Sequence, residues 1–98
     1  MELLMSKEDI LVFLRSNKSY IQENFNVTEI GLFGSYATGD NTPESDIDIL
    51  VTMPPSFDGF YQLKEYLEDN LQKTVDLGLF ENLRILIKKQ IADEIIYV

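Results

Sequence analysis

The run Gly34-Ser35-Tyr36-Ala37-Thr38-Gly39-Asp40-Asn41-Thr42-Pro43-Glu44-Ser45-Asp46-Ile47-Asp48-Ile49-Leu50-Val51 decides how this chain folds. It is entered from Val27 to Phe33, a β-branched and apolar stretch that stops at Gly34 and so reads as a buried strand. Ser35 onward has the character of a short helix start, and Gly39 to Ser45 carries the Gly, Asp, Asn, Pro and Ser of a loop. Asp46 to Thr52 is then a second strand, ended by Pro54-Pro55. Side chains alternate across a strand, so Asp46 and Asp48 project from one face and Ile47, Ile49 and Val51 from the other.

Toward the N-terminus, Ser6 and Asp9 form a capping-box pattern, and Ile10, Phe13, Leu14 and Ile21 follow at helical spacing. One helix is predicted over Lys7 to Glu23, weakest at Asn17-Lys18-Ser19. Beyond the second strand, Phe60, Leu63, Leu67 and Leu71 make an apolar stripe opposite Lys64, Glu65, Glu68 and Asp69, predicting a surface helix over Phe57 to Gln72. Thr74 to Leu79 is a third strand. Leu83, Ile87, Ile91 and Ile95 predict a last helix from Leu83 to Asp93, before the tail Ile95-Ile96-Tyr97-Val98. The order α-β-(short α)-β-α-β-α is that of an α/β layer with a small sheet. No repeat or linker divides the chain, so residues 1–98 are expected to be a single domain.

Composition removes many chemistries. The chain has 98 residues, 8 basic and 17 acidic, for a net charge of −9, with no cysteine and no histidine. Thiol nucleophiles, zinc–cysteine sites, disulfides and imidazole general bases are therefore excluded. The acidic balance argues against direct nucleic-acid binding, which needs clustered Lys and Arg. An acid near the N-terminus and the lack of a long apolar run predict no secretion signal and no membrane span, hence a cytoplasmic location.

What remains is oxygen chemistry. A glycine and a hydroxyl residue at a strand-to-helix turn can admit a phosphate against free amides, although Gly-Ser after a strand is commonly just a turn. Most isolated Asp-x-Asp pairs are solvated strand surface, but Asp is a poor strand former, and two in one short strand have no evident structural return. Asp76, in Thr74-Val75-Asp76-Leu77-Gly78, faces away from Val75 and Leu77. If its strand lies beside that of Asp46 and Asp48, three carboxylates share a patch, and each pair at 4 Å would repel by roughly 4 kcal/mol. A divalent cation relieves that repulsion. Hard oxygen donors favour Mg²⁺ or Mn²⁺ over zinc, typically shared with substrate phosphates. An EF-hand reading from Asp40 fails, because the sixth loop position is Ser45 rather than Gly and Pro43 interrupts the loop.

Gly34-Ser35, ten residues, then Asp46-Ile47-Asp48 resembles the signature of the polymerase-β-type nucleotidyltransferase superfamily. The fuller string through Val51 is similar to its stand-alone minimal nucleotidyltransferases, with Asp76 at the place of the third carboxylate. The resemblance implies a polymerase-β-like α/β (α+β) fold, a small mixed sheet flanked by helices. It also implies a two-metal site in which Asp46, Asp48 and Asp76 are catalytic metal ligands, Gly34 and Ser35 bind the nucleotide, and pyrophosphate leaves. Minimal members are typically antitoxins that pair with a HEPN-domain RNase toxin, and some transfer AMP from ATP to a tyrosine of that partner. The implied cofactors are thus two Mg²⁺ ions with ATP as substrate, and the implied partner a HEPN toxin in a hetero-oligomer. Thr38 stands where many relatives carry Arg.

Two other functions fit the same residues: a non-catalytic antitoxin that blocks a basic partner through its acidic face, and a nucleotidyltransferase acting on a small molecule or RNA end. Arg84, Lys88 and Lys89 read as a solvated helix face, and Tyr36 as packing, partner contact or a base-stacking ring. Phe57, Phe60 and Tyr61 read as a helix-entry staple or an interface.

Overall fold

Ser6 starts the first helix by reciprocal capping: its Oγ accepts the Asp9 N–H at 3.1 Å, while Asp9 Oδ2 accepts the Ser6 N–H at 3.0 Å. In the computed structural model, which describes residues 6–83 and 94–98, that helix is α1, Lys7–Ser16. The single helix expected to Glu23 is instead two, α1 and α2 (Lys18–Phe25), broken at Asn17. The physical reason is the Asn17 side chain, whose Nδ2 donates back to the Phe13 carbonyl at 2.9 Å and whose Oδ1 accepts the Tyr66 hydroxyl at 3.2 Å. An asparagine that satisfies local backbone and a distant phenol together is held off helical geometry.

The chain continues through β1 (Glu29–Phe33), the four-residue α3 (Ser35–Thr38), β2 (Ile47–Thr52), α4 (Phe57–Leu71) and β3 (Val75–Leu79). A 3₁₀ turn at Phe80–Asn82 follows, and β4 (Ile96–Tyr97) closes the described chain. The predicted helix from Leu83 to Asp93, with Arg84, Lys88 and Lys89, lies almost wholly outside the described residues. The tail supplies a fourth strand that residue patterning did not predict, since two residues carry no periodicity.

The sheet order is β3-β2-β1-β4, with β1 antiparallel to both β2 and β4, and β2 parallel to β3. It is the small mixed sheet expected. The parallel step requires a crossover, and α4 provides it. Ile30 and Leu32 of β1, Ile47, Ile49 and Val51 of β2, and Val75 and Leu77 of β3 form one face. They pack with Ile10, Leu14, Ile21, Leu63, Leu67 and Leu71 of the helices into the core. The opposite face carries Gly31, Asp48, Leu50, Asp76, Gly78 and Tyr97, as the register dictates. Phe80 stacks on Tyr97 with ring centroids 5.6 Å apart, and a Cβ at Gly31 would stand 2.7 Å from Ile95 Cγ2. Part of this second face is therefore covered, and Leu50 is buried there outside the main core. No helix among the described residues is long and apolar enough to cross a membrane.

Candidate active site

Asp48 is the centre of the second face's other end. Its antiparallel partner is Phe33, the last residue of β1, and its parallel partner is Asp76. Three strands thus bring the residue before Gly34, the Asp48 carboxylate and the Asp76 carboxylate into one row. Asp46 precedes β2 and is exposed, Asp76 is exposed, and Asp48 is half-buried between them.

The electrostatics follow from that row. The Asp48 carboxyl is pushed up to about 6, first by burial, then by the charge of Asp76 and a hydrogen bond shared with it, and last by Asp46. Burial and the neighbouring carboxylates thus disfavour the ionised form of Asp48, and a cation at this place would offset that repulsion. Asp48 and Asp76 form the tight pair, with Asp46 acting on Asp48 more weakly. Among the described residues no three acidic side chains converge into a cage that would hold a metal ion by protein ligands alone. Such an open set of hard oxygens fits a divalent cation that takes its remaining ligands from substrate phosphates.

Gly34 is tied to this carboxylate directly. A Cβ there would overlap Asp48 Oδ2 and stand 2.9 Å from Asp48 Cγ, and the residue sits at φ +75°. Both the space and the backbone geometry demand glycine. The sequence motive for Gly34 was room for a phosphate; the structure adds that it makes room for Asp48. The Gly34 carbonyl accepts from Ala37 N–H at 3.0 Å and from Thr38 N–H at 3.1 Å. The amides of Ser35 and Tyr36 open α3 without an intrahelical acceptor, and the half-buried Ser35 hydroxyl has no hydrogen-bond partner among the described residues.

Tyr36 is 2 % exposed and belongs to the core, so it is not a stacking platform for a base. Thr38 Oγ1 donates to Asp40 Oδ2 at 3.1 Å. The loop before β2 is internally braced, with Ser45 Oγ accepting the Thr42 N–H at 2.9 Å. It is tied across to the turn before β3, where Lys73 Nζ donates to the Pro43 carbonyl at 2.9 Å. No sequence signal pointed to Lys73, which is 30 residues from its acceptor.

This arrangement can hold a polyphosphate between a glycine-serine turn and an acidic pair. A family model described as the nucleotidyltransferase domain matches residues 14–98 of the chain. The protein adenylyltransferase MntA of Thermococcus cleftensis is 40% identical over 97 residues, covering 97% of this chain and 98% of that protein. A solved structure described provisionally as a minimal nucleotidyltransferase superposes with a TM-score of 0.80 at 26% identity, over 94% of this chain and 95% of that one. A toxin–antitoxin crystal structure with AMP-PNP gives a TM-score of 0.65 at 25% identity, over 95% of this chain and 72% of the matched one.

Proposed function

The chain belongs to the nucleotidyltransferase domain family, and from that premise we propose that it transfers AMP from ATP to a tyrosine hydroxyl of a HEPN-type toxin and so acts as its antitoxin. The observation that carries the reading is the placement of Gly34 over the Asp48 carboxylate, with Asp76 as that carboxylate's strand partner. A phosphate-admitting turn and a cation-demanding pair thereby share one edge of the sheet. The name of the Thermococcus relative and the ATP analogue in the toxin–antitoxin structure support the nucleotide and the partner class.

Asp46 and Asp48 would hold Mg²⁺ on the triphosphate, and Asp76 would complete a second metal position. Bound there, the ions offset phosphate charge and lower the pKa of the attacking hydroxyl. Ser35 Oγ and the first amides of α3 bind the terminal phosphates and orient the chain of phosphates away from the acceptor. Asp76, at the solvent-facing side of the pair, takes up the proton of the tyrosine hydroxyl. The tyrosine oxygen forms its bond to the α-phosphorus as the bond from that phosphorus to the bridging oxygen breaks, and pyrophosphate departs with the electron pair.

The test is incubation of the purified chain with Mg²⁺, α-labelled ATP and any HEPN-type toxin encoded beside its gene. Label on a toxin tyrosine is expected, abolished by chelation and by Asp46→Asn with Asp48→Asn. An unlabelled toxin in the presence of wild-type protein overturns the proposal. If that double variant still neutralised the toxin, inhibition would rest on binding through the acidic surface instead.

A further inference from the structure

Among the described residues β3 is the edge strand of the sheet, with β2 as its one neighbour, yet it carries a site carboxylate. An edge strand has a row of backbone groups facing outward and can roll about its own axis. For Asp76 that roll matters, because a change in the pleat would swing the side chain away from Asp48. The backbone bonds show which groups are free to prevent it. The Ile47 N–H donates to the Thr74 carbonyl at 3.0 Å, and Ile47 is paired with Val75. In a parallel ladder this turns the residues on either side of Val75 toward β2, and Val75 itself toward the open edge. The outward Val75 N–H does not face solvent unpaired: it donates to Glu68 Oε2 at 2.9 Å, from the last turn of α4.

We propose that Glu68 is a positioning residue for the reaction, pinning the residue immediately before Asp76 to α4 so that the Asp76 carboxylate stays on the face that holds Asp48. Glu68 is half-buried, and its hydrogen bond goes to the Val75 N–H rather than to a group of the candidate site. Its acceptor oxygen is what the role requires, not its charge. The Lys73 tie to the Pro43 carbonyl acts in the same sense one residue earlier than Thr74, joining the lead-in of β3 to the lead-in of β2. Together they clamp the start of a strand whose pairing the two facing carboxylates oppose. The proposal rests on the reading of Asp76 as a site carboxylate given above.

The experiment compares Glu68→Ala and Glu68→Gln with wild type in the full chain, with thermal midpoints measured for all. Toxin labelling gives kcat and KM for ATP. Amide hydrogen exchange reads the Val75 N–H, and line broadening by Mn²⁺ alone reads Asp48 and Asp76. In Glu68→Ala, Val75 exchange should rise at least about tenfold and kcat fall about ten- to a hundredfold with KM nearly unchanged, as for a displaced catalytic group. Mn²⁺ should still broaden Asp48 while broadening Asp76 less. Glu68→Gln, whose amide oxygen can accept the same N–H, should restore the protection and most of kcat. Equal impairment in both variants would overturn the proposal, as would unchanged kcat in Glu68→Ala or a loss of kcat that merely tracks a lower midpoint. Should wild type fail to label the toxin, the function proposed above falls, and the exchange and Mn²⁺ patterns alone still decide for or against the positioning role.

Discussion

The two faces of β2 are built from alternate residues of one six-residue strand, and they are held by different physics. Ile47, Ile49 and Val51 are almost wholly buried against the helices, where packing sets the energy and any apolar side chain of suitable volume would serve. Asp48, on the other face, is held among Gly34, Asp76 and the end of β1, where each neighbour is specific and the charges work against the fold. The buried face supplies the rigidity that the acidic face needs. A carboxylate pair held together despite its repulsion has to be held by something else, and here that is the ladder of a sheet whose far side is a packed core.

Substitutions on the two faces should separate accordingly. The largest effect is expected from Asp48→Asn: toxin labelling falls by at least about a thousandfold, roughly 4 kcal/mol of transition-state stabilisation, while the fold is kept. In chelator, the same variant should also be the more stable protein at neutral pH. Asp48 in the fold titrates near 6, against 3.8 for the ordinary carboxyl. A raised acid binds its proton more tightly folded than unfolded, so the stability tied to that proton is full below 3.8 and is lost as pH rises through about 6. Thermal midpoints of the two metal-free proteins should therefore diverge in favour of Asn between pH 4 and pH 7. A constant difference across that range would break the account of the pair.

Leu63→Ala, under the buried face, should cost about 2–5 kcal/mol in chemical denaturation and leave labelling intact well below the midpoint. If it altered labelling without altering stability, the division of labour between the faces would be wrong. Gly34→Ala joins the two regimes. It forces a Cβ onto the Asp48 carboxylate at a positive φ, so labelling should fall about a hundredfold and stability by about 1–3 kcal/mol. Smallest is Thr38→Arg, which adds a cation beside the glycine-serine turn, where the resemblance to nucleotidyltransferases implies an Arg. It should lower KM for ATP by a few-fold, seen in labelling at limiting ATP, at the loss of the Thr38–Asp40 hydrogen bond.

Much of this was readable from residue order. The strand ending at Phe33, the strand beginning near Asp46 and the helix carrying Leu63, Leu67 and Leu71 all follow from local periodicity, and the structure moves their ends by only a few residues. The placement of Asp46 and Asp48 opposite Ile47 and Ile49 needs nothing more than strand alternation. Other features were not readable because their cause lies far along the chain. The break at Asn17 depends on Tyr66, 49 residues away. The Glu68 bond to Val75 joins a helix side chain to a strand amide, and a glutamate on the polar side of an amphipathic helix looks like any other. Tyr36 shows the converse: its position in the motif admitted a ligand-facing role, and packing took it into the core.

Residue identity alone set which chemistries are open: hard oxygen donors without imidazole or thiol, a glycine-serine turn, and acids phased to one face of a strand. These are properties of residue identity and of a two-residue period, which act over short distances. That Asp48 faces Asp76 in register, that Gly34 closes over the Asp48 carboxylate, and that an edge strand is pinned from outside came with the assembled sheet. Those are matters of strand order and pairing across a crossover, and no local pattern encodes which strand will lie beside which.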